Sequence, residues 1–325
     1  MTLQPMYMQH TYAGLEPSQA FDVVYGGTFE HRLMSSKCAT MEHQRLSLGD
    51  VRLETGRYNF PIIALGGMPK DAFSIGFMAE GADATRYNTT VIGRDEIQIY
   101  PPGVELLYHA AGPSRWVNFV VPEERLQEAA VEHGGRHLEL SQLAPYSIRL
   151  RAGGRRYLTC LADDAMAVAR RLQPIGGMTP DLAEAVFQSL LCNYVNALLD
   201  ASSVRKPERL STEQRHHYLI AACERLVLSG TEVHVGLTEI AKRSGYSLRS
   251  LELIFHHSVG MTPGRWFMTA RLNGALRDLL ASDQTATVSE IAMKWGFHHM
   301  SRFSQYYRQA FGESPRDTLL RSRMH

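Results

Sequence analysis

Residues 237–315 carry one pattern twice, and that duplication limits what the chain can fold into more than any other feature. Leu237, Ile240, Ala241, Gly245, Tyr246, Leu251, Phe255, Gly260 and Pro263 are followed by Val288, Ile291, Ala292, Gly296, Phe297, Phe303, Tyr307, Gly312 and Pro315. The offset is 51 from Leu237 to Val288 and from Gly245 to Gly296. It is 52 from Leu251 to Phe303 and from Pro263 to Pro315, so one residue is inserted just after the second glycine.

Each copy reads as helix, sharp turn, helix. Leu237, Ile240 and Ala241 have the i, i+3, i+4 spacing of one buried helical face. Thr287 and Glu290 form a Thr-x-x-Glu capping box, with Gly236 and Glu239 at the equivalent places of the first copy. Gly245 and Gly296 end these helices, where glycine takes positive φ freely. Ser247 caps the next helix, whose buried side carries Leu251, Ile254 and Phe255. Two short helices joined by such a turn are a helix-turn-helix, whose second helix enters the DNA major groove. Helical hairpins also build solenoids, but those need about three or more repeats.

Residues 211–325 resemble the DNA-binding domain of the AraC/XylS family of bacterial transcription regulators. The residues that carry the resemblance are Ile240, Ala241, Gly245, Leu251, Phe255, Gly260 and Pro263, then Arg271, Leu272, Ala275 and Leu280. The densest match is Ile291, Ala292, Gly296, Phe297, Ser301, Phe303, Ser304, Tyr307, Arg308, Gly312 and Pro315. The chain departs from the family at Gln305, where Arg is usual, at Tyr307, where Phe is usual, and at Thr318-Leu319, where Tyr-Arg is usual. These departures touch the base contacts and leave the fold expectation intact.

Charge divides the chain the same way. From Arg205 to His325 there are 17 Lys+Arg against 11 Asp+Glu; the remainder holds 17 against 22. A basic C-terminal half beside an acidic N-terminal half suggests one nucleic-acid module and one module with another task. Cys38, Cys160, Cys192 and Cys223 have no framework spacing and read as reduced, mostly buried cytoplasmic thiols. No apolar run is expected to span a membrane, and residues 1–10 lack a signal-peptide pattern.

In the N-terminal half, short apolar runs at 91–92, 97–100, 104–108 and 116–121 are separated by Gly93, Pro101-Pro102-Gly103 and Gly112-Pro113, as in an antiparallel sandwich or barrel. The resemblance implies a small cupin-like barrel here. Tyr58, Phe60, Phe77, Tyr87, Tyr100, Tyr108 and Trp116 are candidates to line its interior. His31, His43 and His109 stand apart with no His-x-His pair, so no metal and no cofactor is expected. The chain has no nucleophile elbow and no phosphate-cradling loop, and no catalytic residue is assigned. Helices are expected over 123–133, 154–172 and 180–199. The last has a wide apolar face, with Pro180 in its first turn. The resemblance favours dimerisation through that face, by Leu182, Val186, Leu190 and Val195. Residues 201–209 read as a polar linker.

The expected fold is therefore α+β. A cupin-like β-barrel with packed helices spans 1–203, and an all-α tandem helix-turn-helix domain spans 204–325, with motifs at about 237–258 and 288–311. Recognition helices run from about 248 to 258 and 300 to 311. Arg249, Glu252, Leu253 and His256 face outward on the first. Ser301, Arg302 and Gln305 face outward on the second, with Arg308 better placed for phosphate. Phe303, Tyr307 and Tyr306 are assigned inward. Arg pairs with guanine, Glu accepts from cytosine, Gln pairs with adenine and Leu meets a thymine methyl. The expectation is a cytoplasmic, homodimeric, sequence-specific DNA-binding regulator that is not an enzyme. Its partners are double-stranded DNA, with RNA polymerase and a small-molecule effector as further candidates. The competing reading is a cupin-type enzyme or carrier with a helical assembly tail.

Overall fold

The computed structural model describes residues 5–34, 39–93, 95–201, 212–228, 236–282 and 285–323. The expected linker and the 203/204 boundary lie almost entirely outside the described residues.

Among the described residues the N-terminal half has twelve strands: β1 (Pro5–Ala13), β2 (Thr28–Leu33), β3 (Thr40–Leu48), β4 (Val51–Tyr58), β5 (Ile62–Gly67), β6 (Phe73–Glu80), β7 (Thr85–Tyr87), β8 (Thr90–Val91), β9 (Glu96–Tyr100), β10 (Glu105–Ala110), β11 (Ser114–Val121) and β12 (Tyr146–Arg149). They pair antiparallel in two sheets, one ordered β1-β3-β4-β11-β6-β9-β12 and one β2-β5-β10-β7-β8. The result is a cupin-like pair of facing sheets that remains unclosed among the described residues. α1 (Glu123–Gly134), α2 (Gly154–Leu172) and α3 (Pro180–Asp200) belong to this half. Then follow α4 (Thr212–Leu228), α5 (Leu237–Arg243), α6 (Leu248–Val259), α7 (Pro263–Leu280), α8 (Val288–Lys294), α9 (Met300–Phe311) and α10 (Pro315–Ser322).

Strand alternation sorts the two N-terminal cores. Val117, Phe119 and Val121 of β11, with Phe73, Ile75 and Phe77 of β6, point to the helix-covered side and pack with Leu126, Leu158 and Leu190. Trp116 and Val120 point between the sheets with Tyr58, Tyr87, Tyr100 and Tyr108. Phe77 is thus on the opposite face from the one expected, because its strand register puts Gly76 on the inner side instead.

α3 also departs from expectation. Its side-chain-capped start, Thr179 accepting from Leu182 N, follows from Pro180 at N1. Leu190 and Val195 are only 1% and 0% exposed and belong to the core with Phe119 and Tyr194. They are unavailable to a partner subunit; Leu182 is exposed and Val186 half-buried. By length and composition alone the 21-residue α3 could also cross a membrane, a test that the core helix of a folded domain passes equally. Its packing on β11 and α1 gives that apolar surface a role inside the domain. Of the cysteines, only Cys223 is buried among the described residues; Cys160 is exposed and Cys192 intermediate.

The outer face of the five-stranded sheet carries the C-terminal helices. Ile63 and Leu107 pack with Ile220 of α4, Leu251 and Phe255 of α6, and Trp266 of α7. Polar contacts surround this apolar seam. Arg32 donates to both carboxylate oxygens of Glu224, at 2.7 and 2.5 Å, and Trp266 Nε1 donates to the same carboxylate at 2.6 Å. Arg32 Nε also reaches Glu30 at 2.6 Å, and Arg277 reaches Glu30 at 2.9 Å. The Asn273 amide closes the free edge of β2: Oδ1 accepts from Leu33 N at 2.7 Å and Nδ2 donates to Leu33 O at 3.0 Å.

Candidate nucleic-acid interface

The two helix-turn-helix units are built by the same local chemistry. Ser247 accepts from Ser250 N at 3.1 Å and starts α6; Thr287 and Glu290 form a reciprocal capping box that starts α8. Hydrogen bonds from Thr287 to its carboxylate hold Glu290 below the usual carboxylate pKa range. Gly245 and Gly296, at φ +74° and +78°, let the chain reverse, and Tyr246 N and Phe297 N return to Ala241 O and Ala292 O, both at 2.9 Å. That is the helix-ending bond an αL residue permits. The expected insertion falls between Gly296 and α9, and the pair His298-His299 occupies it, exposed.

Inward positions follow the 3.6-residue period. Leu251, Ile254 and Phe255 are buried on α6, and Phe303, Tyr307 and Phe311 on α9. Tyr307 donates to Thr318 Oγ1 at 2.9 Å, which ties α9 to α10. Its burial raises the phenol pKa. Tyr306 is 39% exposed and joins the outer face, correcting its inward assignment. One helical step separates it from Tyr307, and the stripe is narrow.

The positions expected to face outward are exposed. Arg249, Glu252, Leu253 and His256 are exposed on α6; Ser301, Arg302, Gln305 and Arg308 are exposed on α9. Leu253, an apolar side chain 49% exposed on a recognition helix, is the most telling of these. Its alternative use is as the contact for a thymine methyl. Two further cations escaped the sequence reading. Arg316 and Arg323 line a cleft with Arg308, Ser304 and Thr287, where the first turns of α8 and α10 meet. Arg323 donates to Ala286 O at 2.6 Å. The Ser314-x-x-Asp317 box that starts α10 was the available signal.

α7 joins the two units. It is one 18-residue helix with Thr262 at its N-cap, and Trp266, Ala270, Leu272, Ala275, Leu276 and Leu279 are buried on it.

In the N-terminal half, Tyr58, Tyr87, Tyr100, Tyr108 and Trp116 line one cavity of about 40 Å³, together with His31 and Asn118. Phe60 is buried nearby without lining it. His31 Nε2 meets Tyr58 OH at 3.1 Å, and burial pushes its pKa down to about 4. His43 and His109 are likewise buried, at about 3 and 4. Among the described residues no group of three His, Cys, Asp or Glu side chains could hold a metal ion.

Residues 240–321 match the family model described as a helix-turn-helix domain. Over 100 residues the chain is 39% identical to the probable thc operon regulatory protein of Rhodococcus erythropolis, covering 29% of this chain and 30% of that protein. It is 36% identical over 88 residues to the XylDLEGF operon transcriptional activator of Pseudomonas putida, covering 26% and 27%. Each of these two matches therefore spans less than a third of the relative. A third, to the transcriptional activator NphR of a Rhodococcus species, covers 97% of this chain and 85% of that protein at 24% identity. All three are named as regulators, none as an enzyme. With the duplicated capped units and the helix between them, residues 240–321 form an AraC-type helix-turn-helix domain similar to that of these transcription regulators.

Proposed function

We propose that the chain is a sequence-specific regulator of transcription that reads two short DNA elements with α6 and α9, acting in the cytoplasm as a homodimer. The observation that carries this is the pair of exposed reader sets on either side of one stiff helix. At 1.5 Å per residue, 18 residues span about 27 Å. The groove repeats on one face of DNA every ~34 Å. The helix length supports successive major grooves once the offsets of α6 and α9 are added. Selection of bound DNA from a random pool by the full chain should return two elements about one helical turn apart. Adding half a turn between them should remove the contribution of one element; unchanged affinity would mean that only one unit touches bases. The tandem helix-turn-helix domain at 204–325 supplies these contacts, and the N-terminal domain at 1–203 senses and dimerises.

Arg249 and Arg308 have different roles in this reading. Arg249→Ala should cost roughly 1–3 kcal/mol on the selected site and relax one base position. Arg308→Ala should weaken all sequences alike and shallow the salt dependence, because a phosphate contact releases counterions. Uniform losses in both variants, measured by competition between matched and mismatched sites, would overturn the assignment.

The dimer contact is proposed at the outward side of α3, around Leu182 and Val186. Val186→Glu should give a folded monomer by light scattering, whereas Leu190→Glu should unfold the domain. A folded Leu190→Glu monomer, or a dimeric Val186→Glu, would exclude this face. RNA polymerase is the further protein partner proposed, since several relatives are named activators. A small-molecule effector is proposed to occupy the cavity between the sheets.

A further inference from the structure

The cavity carries information about what it accepts. Several polar groups on its wall already have partners, although His31 Nδ1 has none among the described residues. Tyr58 OH receives Trp116 Nε1 at 3.2 Å and meets His31 Nε2 at 3.1 Å; Tyr108 OH meets Ser114 Oγ at 2.7 Å. Asn118 differs. It is 4% exposed, and among the described residues neither its Oδ1 nor its Nδ2 has a hydrogen-bond partner. Beside it the hydroxyl of Tyr100, 1% exposed, is also unpartnered. Leaving a buried amide unmet is unfavourable, and an Asn at an inward strand position would pack better as an apolar residue of the same size. Gly76, directly across from Asn118 in the sheet, keeps the space open: a Cβ there would lie 3.6 Å from Asn118 Oδ1 and 3.5 Å from the Tyr100 ring.

Charge is absent from the same wall. None of the residues lining the cavity is Lys, Arg, Asp or Glu, and buried His31 is neutral near pH 7. An anion entering would shed its hydration with no cation to meet it, at a cost that neutral polar groups do not repay. An amide presents a carbonyl acceptor beside an N–H donor, which complements both ends of the Asn118 amide at once.

We propose that the cavity between the sheets binds an uncharged molecule bearing a carboxamide-like group, held by the Asn118 amide and the Tyr100 hydroxyl, and excludes carboxylates. This rests on the effector reading above and specifies its chemical class. A cavity of about 40 Å³ admits a group of only a few heavy atoms. Acetamide and acetate are therefore matched probes, alike in size and different in charge.

The test is thermal unfolding of the full chain with each probe, beside the variants Asn118→Leu and Gly76→Ala. Acetamide should raise Tm in a saturable way, by about 2 °C at ten times its dissociation constant. Acetate should give no saturable shift. Asn118→Leu should raise Tm of the free protein and abolish the acetamide shift. Gly76→Ala, whose added methyl meets only ordinary contacts, should fold and weaken binding. Equal protection by acetate, no shift with acetamide up to its solubility, or an acetamide shift that survives Asn118→Leu would each overturn the proposal. So would a lowered Tm for free Asn118→Leu, which would assign Asn118 to bound water only. DNA affinity measured with and without acetamide separates the two readings. Binding through Asn118 with unchanged DNA affinity would retain this ligand class and remove its effector role.

Discussion

Glu224→Leu should destabilise the full chain by about 3–5 kcal/mol, the range found when one partner of a buried ion pair is removed. The side chain of Arg32 is only 3% exposed and that of Glu224 10%, so neither charge can turn to water. Without Glu224 the guanidinium keeps Glu30 and the Trp266 ring, 6.0 Å away, and Trp266 Nε1 loses its acceptor. Because this cluster holds α4 and α7 against β2, the loss should appear as undocking. Calorimetry should then resolve two transitions where the parent gives one. Arg32→Met combined with Glu224→Leu should recover much of the loss, since an apolar pair of similar volume is often neutral or better. A Glu224→Leu variant as stable as the parent would show that the pair does not hold the two halves together.

Gly274→Val should disable the second DNA-reading unit while sparing the first. A Cβ on Gly274 would lie 2.2 Å from the Trp295 ring, so any side chain there displaces the indole. Overpacking of this kind costs about 1–3 kcal/mol, and the hydrogen bond from Trp295 Nε1 to Asp278, 2.8 Å, contributes about 1 kcal/mol more. The better helix propensity of a non-glycine residue returns less than ~1 kcal/mol. Trp295 sits at the end of α8, so its displacement detaches that helix from α7 and frees α9 to rotate. Competition with sites mutated one base at a time should show discrimination retained under α6 and lost under α9. Equal retention at both elements would mean that Trp295 finds another seat without cost to α9.

Gly274 shows where sequence reading reaches and where it stops. The periodic residues of α5 to α9 were legible because short amphipathic helices state their buried side in i, i+3, i+4 spacing, and Thr287, Ser247 and Gly296 mark their ends. Gly274 could be read only as a weak point in a helix; the indole that requires it is 21 residues away. The wide apolar face of α3 gave no indication of which surface it packs on, and Leu190 and Val195 proved to be core. The inner and outer aromatics of β6 differ by one residue of register, which Phe77 alone could not reveal. The Arg32–Glu224 pair links positions 192 apart, and nothing local in either segment announces the other. The reader residues were legible as exposed positions, while Arg316 and Arg323 became visible only when α10 folded back beside α8.

β2 belongs to two surfaces at once. Phe29 and His31 line the cavity, while Glu30 and Arg32, between and beside them, meet α4 and α7 of the C-terminal half. In a genetic screen adjacent codons of one short strand will therefore fall into different phenotypic classes. If the cavity holds an effector, as proposed, substitutions at 29 and 31 will change which compound acts. On the same proposal, those at 30 and 32 will alter expression without any such compound, though they lie more than 200 residues before α6. Alleles mapped here as DNA-binding defects will be defects of docking, and suppressors of them will be found at Glu224, Asn273 and Arg277.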